Sequence, residues 1–190
     1  MNLILYFFIY STIGFLIETV YTFIMDGHYS VRRSMLGSPM CIVYGAGAVA
    51  IISASINTWD SVAAIFFAGA VVCTAVEYGA SLLYERVCGV ILWDYSSIRG
   101  NLRGRVCARY SVYWGIVTVV FCFFVHPAIE FLVQGMDLRL KIVLTITLLI
   151  YFRRDFILTL REMKKVGRGE KSMCDAVLEY VEPAPDIKIF

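Results

Sequence analysis

Four stretches of this chain are long and apolar enough to cross a lipid bilayer, and nothing else in the sequence constrains its fold as strongly. A crossing helix needs ~20 mostly apolar residues to traverse ~30 Å of hydrocarbon. Residues 3–25 meet this condition with Glu18 as their only charge, and residues 39–58 carry no charge at all. Residues 61–83 carry only Glu77, and residues 110–132 carry His126, Pro127 and Glu130 near one end. A fifth stretch, 138–157, is weaker, because its uncharged centre runs only from Ile142 to Phe152. It spans if Arg139, Lys141, Arg153 and Arg154 extend along their stems to the interfaces. The expectation is an all-α polytopic membrane helix bundle of about five transmembrane helices. The transmembrane domain covers 1–165, and 166–190 form a polar, mobile cytoplasmic tail.

Composition agrees. The chain is 59% hydrophobic and 17% charged, against ~45–50% and ~25% in soluble domains, and its mean hydropathy is +0.74. A water-soluble core of this size cannot hide so much apolar surface, and disordered chains lack such aliphatic and aromatic content. A net charge of +2 gives no signal for nucleic acid as a partner. The six cysteines are irregularly spaced, with no CxxC pair, so neither a disulfide framework nor a zinc site is expected. The N-terminus lacks a basic region and a cleavage site, and reads as a first span rather than a signal peptide.

Charge placement gives an orientation. With five spans and the N-terminus outside, 26–38, 84–109 and the segment from 153 onward lie inside. They hold all of the 17 basic residues except Arg139 and Lys141. This fits the positive-inside rule and predicts a cell-membrane protein with its C-terminus in the cytoplasm.

An internal repeat is visible. Glu18 precedes Gly37 by the same interval that separates Glu85 from Gly104. Cys41 and Cys107 follow, and each unit opens its next span with an aromatic–glycine pair, Tyr44-Gly45 and Trp114-Gly115. The pattern suggests two tandem helix–loop–helix units related by a pseudo-twofold along the membrane normal.

Among the acids, Glu18 and Glu77 are the two deep in the spans. A charge at mid-bilayer costs at least ~2.5–3.5 kcal/mol, so each must face the bundle interior and find a partner. Measured from the start of its span, each lies roughly 22–24 Å down at ~1.5 Å per residue, so the two share a level. Two readings compete. In one, Glu18, Glu77 and Glu85, with the arginines below, line a polar cavity open to the cytoplasm. In the other, each glutamate is interhelical glue, paired with an arginine or a hydroxyl.

The segment 86–109 is long for a hairpin connection. It carries Trp93-Asp94-Tyr95-Ser96, Asn101, Gly104 and Arg105 among five arginines. It is able to dip back toward the cavity or grip an anionic head group, as is Arg33 in the first inner loop. The plainer alternatives are interfacial anchoring for Trp93 and Tyr95 and an Asx turn or cap for Asp94 and Ser96. Gly45, Gly47, Ala64, Ala68 and Gly69 read as close helix packing. Cys73 and Cys122 read as small apolar residues, and His126 reads as a helix-end residue. No P-loop, HExxH zinc helix or GxSxG elbow is present, so no cofactor, metal or catalytic residue is expected, and any ATPase is a separate chain.

Gly14, Glu18 and Tyr21, followed by Arg33, Gly37, Pro39, Cys41 and Tyr44-Gly45, make up one motif. Glu77, Glu85, Trp93-Asp94-Tyr95-Ser96, Asn101, Gly104, Cys107 and Trp114-Gly115 make up a second. Together, over about residues 10–120, they resemble the CmpB-like family of ABC-transporter type IV membrane proteins. The chain departs at Ser34, where the family has glycine, at Ser38 and Met40, and at Ile42-Val43, which lacks the family's proline. These departures bear on loop geometry rather than on the carboxylates. The resemblance implies a multi-pass protein with a permease label. The leading expectation is a permease-like transport component whose substrate-binding residues are Glu18, Glu77, Glu85, Arg33, Asp94, Tyr95, Asn101 and Arg105. Its substrate is small and either cationic or amphipathic with an anionic head. Its partners are the lipid bilayer, a separate ATPase subunit and a second copy in a homodimer. The alternatives are an intramembrane enzyme acting on a lipid or isoprenoid phosphate, and a non-catalytic assembly or regulatory subunit.

Overall fold

The computed structural model describes residues 1–26, 35–173 and 176. The protein is an all-α bundle, as the apolar runs require. Helix α1 spans Asn2–Asp26, α2 Ile42–Ser53 and α3 Val62–Cys88. A two-stranded antiparallel ribbon, β1 (Asn101–Leu102) and β2 (Val106–Cys107), then leads into α4 (Ala108–Val120). A π turn at Phe121–Val125 joins α4 to α5 (His126–Gly135), and α6 spans Leu138–Gly167.

Three helical stretches have the length and apolar composition to cross a membrane: Asn2–Ile24, Val62–Cys88 and Ala108–Gly135. Their boundaries follow capping chemistry. Ser61 Oγ accepts from the Ala64 amide at 3.3 Å to open α3, and Gly89 closes it in the left-handed region at φ +72°. Asp137 opens α6 by accepting from the Arg139 amide at 2.8 Å. Outward faces remain apolar: Phe67, Val71, Phe124, Phe131 and Ile150 are each more than 60% exposed, as suits contact with lipid rather than water.

Two of the expected spans take another form. The stretch 39–58 contains a helix of only 12 residues, about 18 Å long at 1.5 Å per residue. Ser55 then adopts φ 56° and the chain turns through a short 3-10 segment, Ile56–Thr58. The helix starts three residues into the stretch and stops five residues before its end. The Cys41 amide donates to the Ser11 carbonyl at 2.8 Å, so α2 begins beside the middle of α1 rather than beside its end. The stretch 138–157 is the first part of a 30-residue helix that runs on to Gly167. Gly167 lies against the end of α3, where an added Cβ would stand 1.8 Å from the Cys88 carbonyl oxygen. Met163 packs there with Leu36, Cys88 and Val90. Just beyond, Lys171 pairs with Glu162 at 3.1 Å, which ties the first residues of the expected tail to α6.

α1 and α2 form one hairpin, α3 and α4 a second, and α6 packs on both α1 and α3. The hairpins share a register. A Cβ on Gly45 would lie 2.5 Å from the Phe7 carbonyl oxygen, and one on Gly115 would lie 2.9 Å from that of Phe66. In each hairpin the glutamate lies about three helical turns beyond that phenylalanine. The partner of Glu18 in the repeat is therefore Glu77, not Glu85 as the loop spacing suggests. That spacing runs through inner segments of different length, whereas the glycine-to-carbonyl contact measures helix against helix.

Candidate carboxylate site between the two hairpins

Each deep glutamate is held by an aromatic residue on the second helix of its own hairpin, Tyr44 near the start of α2 and Trp114 midway along α4. On α1, Gly14 has no side chain, and the base of the Tyr44 side chain lies against it; an added Cβ would be 2.3 Å from Tyr44 Cγ. From there the phenol reaches one turn along α1, and Tyr44 Oη donates to Glu18 Oε1 at 2.9 Å. On α3, Trp114 Nε1 donates to Glu77 Oε2 at 2.8 Å. Tyr95 Oη donates to Glu77 Oε1 at 3.0 Å, and Glu77 is 6% exposed. Both oxygens of a buried carboxylate are thus satisfied by neutral donors, which offsets its desolvation. The two aromatics meet between the hairpins, with ring centroids 4.9 Å apart and planes inclined at 60°.

The segment from 89 to 107 does turn back toward this pair. The Tyr95 amide donates to the Gly104 carbonyl at 2.7 Å, and Trp93 Nε1 donates to the Arg105 carbonyl at 2.9 Å. These bonds lay the Trp93–Ser96 run along the β ribbon and aim Tyr95 at Glu77. Arg103 and Gly104 form the ribbon's turn with φ 54° and 70°, a geometry that favours glycine. Tyr95 also stacks on Tyr110 with centroids 4.7 Å apart.

The remaining predicted residues divide. Asp94 closes an exposed turn, accepting from the Ser96 amide at 2.8 Å and from Ser96 Oγ at 2.9 Å, which is the plainer of its two sequence readings. Asn101 accepts from the Gly104 amide at 3.0 Å and donates to the Ile98 carbonyl at 2.7 Å. Both residues build the loop that carries Tyr95. Glu85 pairs with Arg105, whose guanidinium carbon lies 5.7 Å from the Tyr78 ring centroid. Arg105 is thus engaged by Glu85, away from the Glu77 carboxylate, whose oxygens bond to Tyr95 and Trp114. Arg33 lies outside the described residues.

Two buried acids escaped the reading of the spans, Asp155 and Glu162, at 4% and 7% exposure. Asp155 Oδ1 accepts from the Gly37 amide at 2.9 Å, and its Oδ2 accepts from Ser38 Oγ. Thr159, one turn on, accepts from the Leu36 amide at 3.1 Å. α6 therefore clamps the segment that leads into α2. The hairpins differ here: Gly104 lies against Asp94 of its own loop, with a Cβ-to-Oδ1 distance of 2.5 Å, and Gly37 against Asp155 of another helix at 2.7 Å. The signal available in the sequence was an acid directly after Arg153-Arg154. His126 also departs from expectation. It is 2% exposed and sits inside the continuous stretch Ala108–Gly135, not at its end.

A cavity of about 200 Å³ lies between the hairpins, lined by Tyr10, Gly14, Tyr44, Ala48, Trp114 and Phe121 among others. Its lining is apolar and aromatic rather than charged. Tyr44 and Trp114 belong to the wall, with the glutamates behind them.

This combination defines a membrane-type α-helical protein: apolar-faced helices around an aromatic-walled cavity backed by the half-buried Glu18 and the buried Glu77. The chain belongs to the family described as Putative ABC-transporter type IV, which matches residues 5–160. Comparison with curated proteins and with solved structures gave no match.

Proposed function

We propose that the protein is the permease-like component of a transporter, and that its two hairpins bind a small amphipathic cation between them. The family and the apolar helices fit a membrane transport component. The observation that carries the finer reading is the Glu18–Tyr44–Trp114–Glu77 chain beside the cavity. Aromatic faces attract a cation through their quadrupoles, more strongly where water is excluded. The carboxylates behind them supply negative charge without lining the wall. Tyr44 and Trp114 bridge the two hairpins, so a ligand between them feels both carboxylates and senses the hairpins' separation.

In this reading the chain crosses the membrane five times, with the N-terminus outside and the loops of both hairpins in the cytoplasm. α2 and its flanking segments complete the second crossing, and the segment that leads into α2 packs against protein through Met35, Leu36, Ser38 and Met40, where irregular backbone is tolerated. Glu85 and Arg105 brace the loop. Arg99 and Arg109 belong to the basic surface on which a separate ATPase chain docks.

The test is uptake into proteoliposomes. Purified protein should accumulate radiolabelled phenethylamine under an imposed ion gradient. Glu18→Gln and Glu77→Gln should each lower uptake at least tenfold with unchanged helix content. Equal uptake by both variants overturns the reading.

A further inference from the structure

The carboxylate–aromatic chain leaves the buried imidazole of His126 unused. His126 Nδ1 lies 2.8 Å from Tyr10 Oη, and its Nε2 lies 3.9 Å from Glu130 Oε2, whose side chain is 43% exposed. The imidazole stacks on Phe121 with centroids 5.3 Å apart and planes inclined at 13°. Tyr6 meets its edge at 5.3 Å. The titratable groups facing it are therefore Tyr6 and Tyr10 from α1 and Glu130 from its own helix. Tyr10 and Phe121 both line the cavity. The ring thus stands between the cavity wall on one side and a partly exposed carboxylate on the other.

The backbone is irregular at this point. The π turn Phe121–Val125 ends immediately before His126, and Pro127 follows. Proline lacks an amide hydrogen and crowds the carbonyl four residues back, and a widened turn absorbs both effects. Such turns concentrate at functional sites.

We propose that His126 is a proton site coupled to the cavity, so that a proton on its ring and an organic cation in the cavity exclude one another. The inference rests on the cavity's reading as a cation site and adds what drives exchange there. In the neutral ring, Nε2–H faces the Glu130 carboxylate, and Nδ1 accepts from Tyr10 Oη–H. Uptake of one proton at Nδ1 gives the imidazolium. Its new N–H donates to the Tyr10 oxygen, and the Tyr10 hydroxyl hydrogen turns away toward the cavity. A positive charge then stands behind the wall and a positive hydrogen points through it. Both oppose a cation. By reciprocity, a bound cation lowers the ring's proton affinity by the same factor, and the displaced proton goes to bulk water.

Phenethylamine binding to the purified full-length protein, followed by calorimetry, tests this. Wild-type affinity should fall at least threefold from pH 8 to pH 5. Binding at pH 6.5, repeated in two buffers of different ionisation enthalpy, should release up to one proton. His126→Gln keeps an acceptor for Tyr10 but cannot charge; its affinity should lose most of that pH dependence and its proton release should vanish. Should that variant fold poorly, 15N-histidine NMR of the wild type gives the same information, because phenethylamine must lower the His126 titration midpoint. Identical pH profiles for wild type and variant, or an unmoved midpoint, overturn the proton site alone. A folded wild type that binds no phenethylamine at pH 8 overturns the cation cavity and this inference with it.

Discussion

Tyr44 and Trp114 face each other across the boundary between the two hairpins, 4.9 Å apart, and each donates a hydrogen bond to the deep glutamate of its own hairpin. One is a phenol and the other an indole, yet they hold equivalent places. The contact is where the internal repeat closes on itself, and it lies in the wall of the cavity.

The first prediction concerns these donors. Tyr44→Phe removes the described donor to Glu18 and leaves an acceptor short of a partner, a loss of about 1–3 kcal/mol. Thermal unfolding in detergent should show it. Adding Glu18→Gln should recover part of the loss, because a neutral amide needs its partner less than a carboxylate does. Additive effects would mean that the bond carries no coupling.

A second prediction separates glycines by what lies above them. A Cβ on Gly45 or Gly115 would press within 3 Å of a backbone carbonyl, whereas nothing lies within 4 Å of Gly79. Gly45→Ala and Gly115→Ala should each destabilise by about 1–3 kcal/mol, because a backbone neighbour cannot step aside as a side chain can. Gly79→Ala should stabilise slightly through helix propensity. Melting temperatures of the three variants check the order.

Asp155 should matter to a segment more than a hundred residues away. Asp155→Ala takes acceptors from the Gly37 amide and Ser38. Hydrogen exchange at Leu36 and Gly37 should accelerate at least tenfold, with the α3–α4 hairpin unaffected. Unchanged exchange would show that α6 does not clamp this segment.

The end of α6 should loosen in acid. Lys165 first, and Lys171 with it, hold the Glu162 carboxyl below its ordinary range. A depressed folded value means that the carboxylate contributes stability above the unfolded value of about 4.3. That contribution disappears as pH falls through the lower folded value. Hydrogen exchange around residues 162–171 should therefore rise below about pH 4 in wild type, and Glu162→Gln should remove most of that acid sensitivity.

The deep glutamates were legible because a charge within an apolar run is costly wherever the helix sits, and the run itself shows it. Their partners were less so. Tyr95 reads as an interfacial anchor or a substrate-binding residue and Trp114 as a spacing feature, since which donor reaches Glu77 depends on how the loop folds and how the hairpin is registered. Asp155 was not legible, because it follows Arg153-Arg154 at the polar end of a span, and contact with Gly37 and Ser38 from a distant segment is what buries it. The length of α2 was hidden for another reason: hydropathy counts apolar residues and not helical ones, and the run continues past Ser53 through a left-handed Ser55 and a 3-10 segment.

The sequence by itself determined the solvent, the all-helical class, the family resemblance and the two carboxylates, because each follows from composition or local spacing. Tertiary structure alone decided that Glu18 matches Glu77, that Arg105 serves Glu85, and that aromatic rings stand between the carboxylates and the cavity. Those are contacts between distant segments, set by the close approach of Gly14, Gly45 and Gly115 to neighbouring helices, and no periodicity along one segment encodes them.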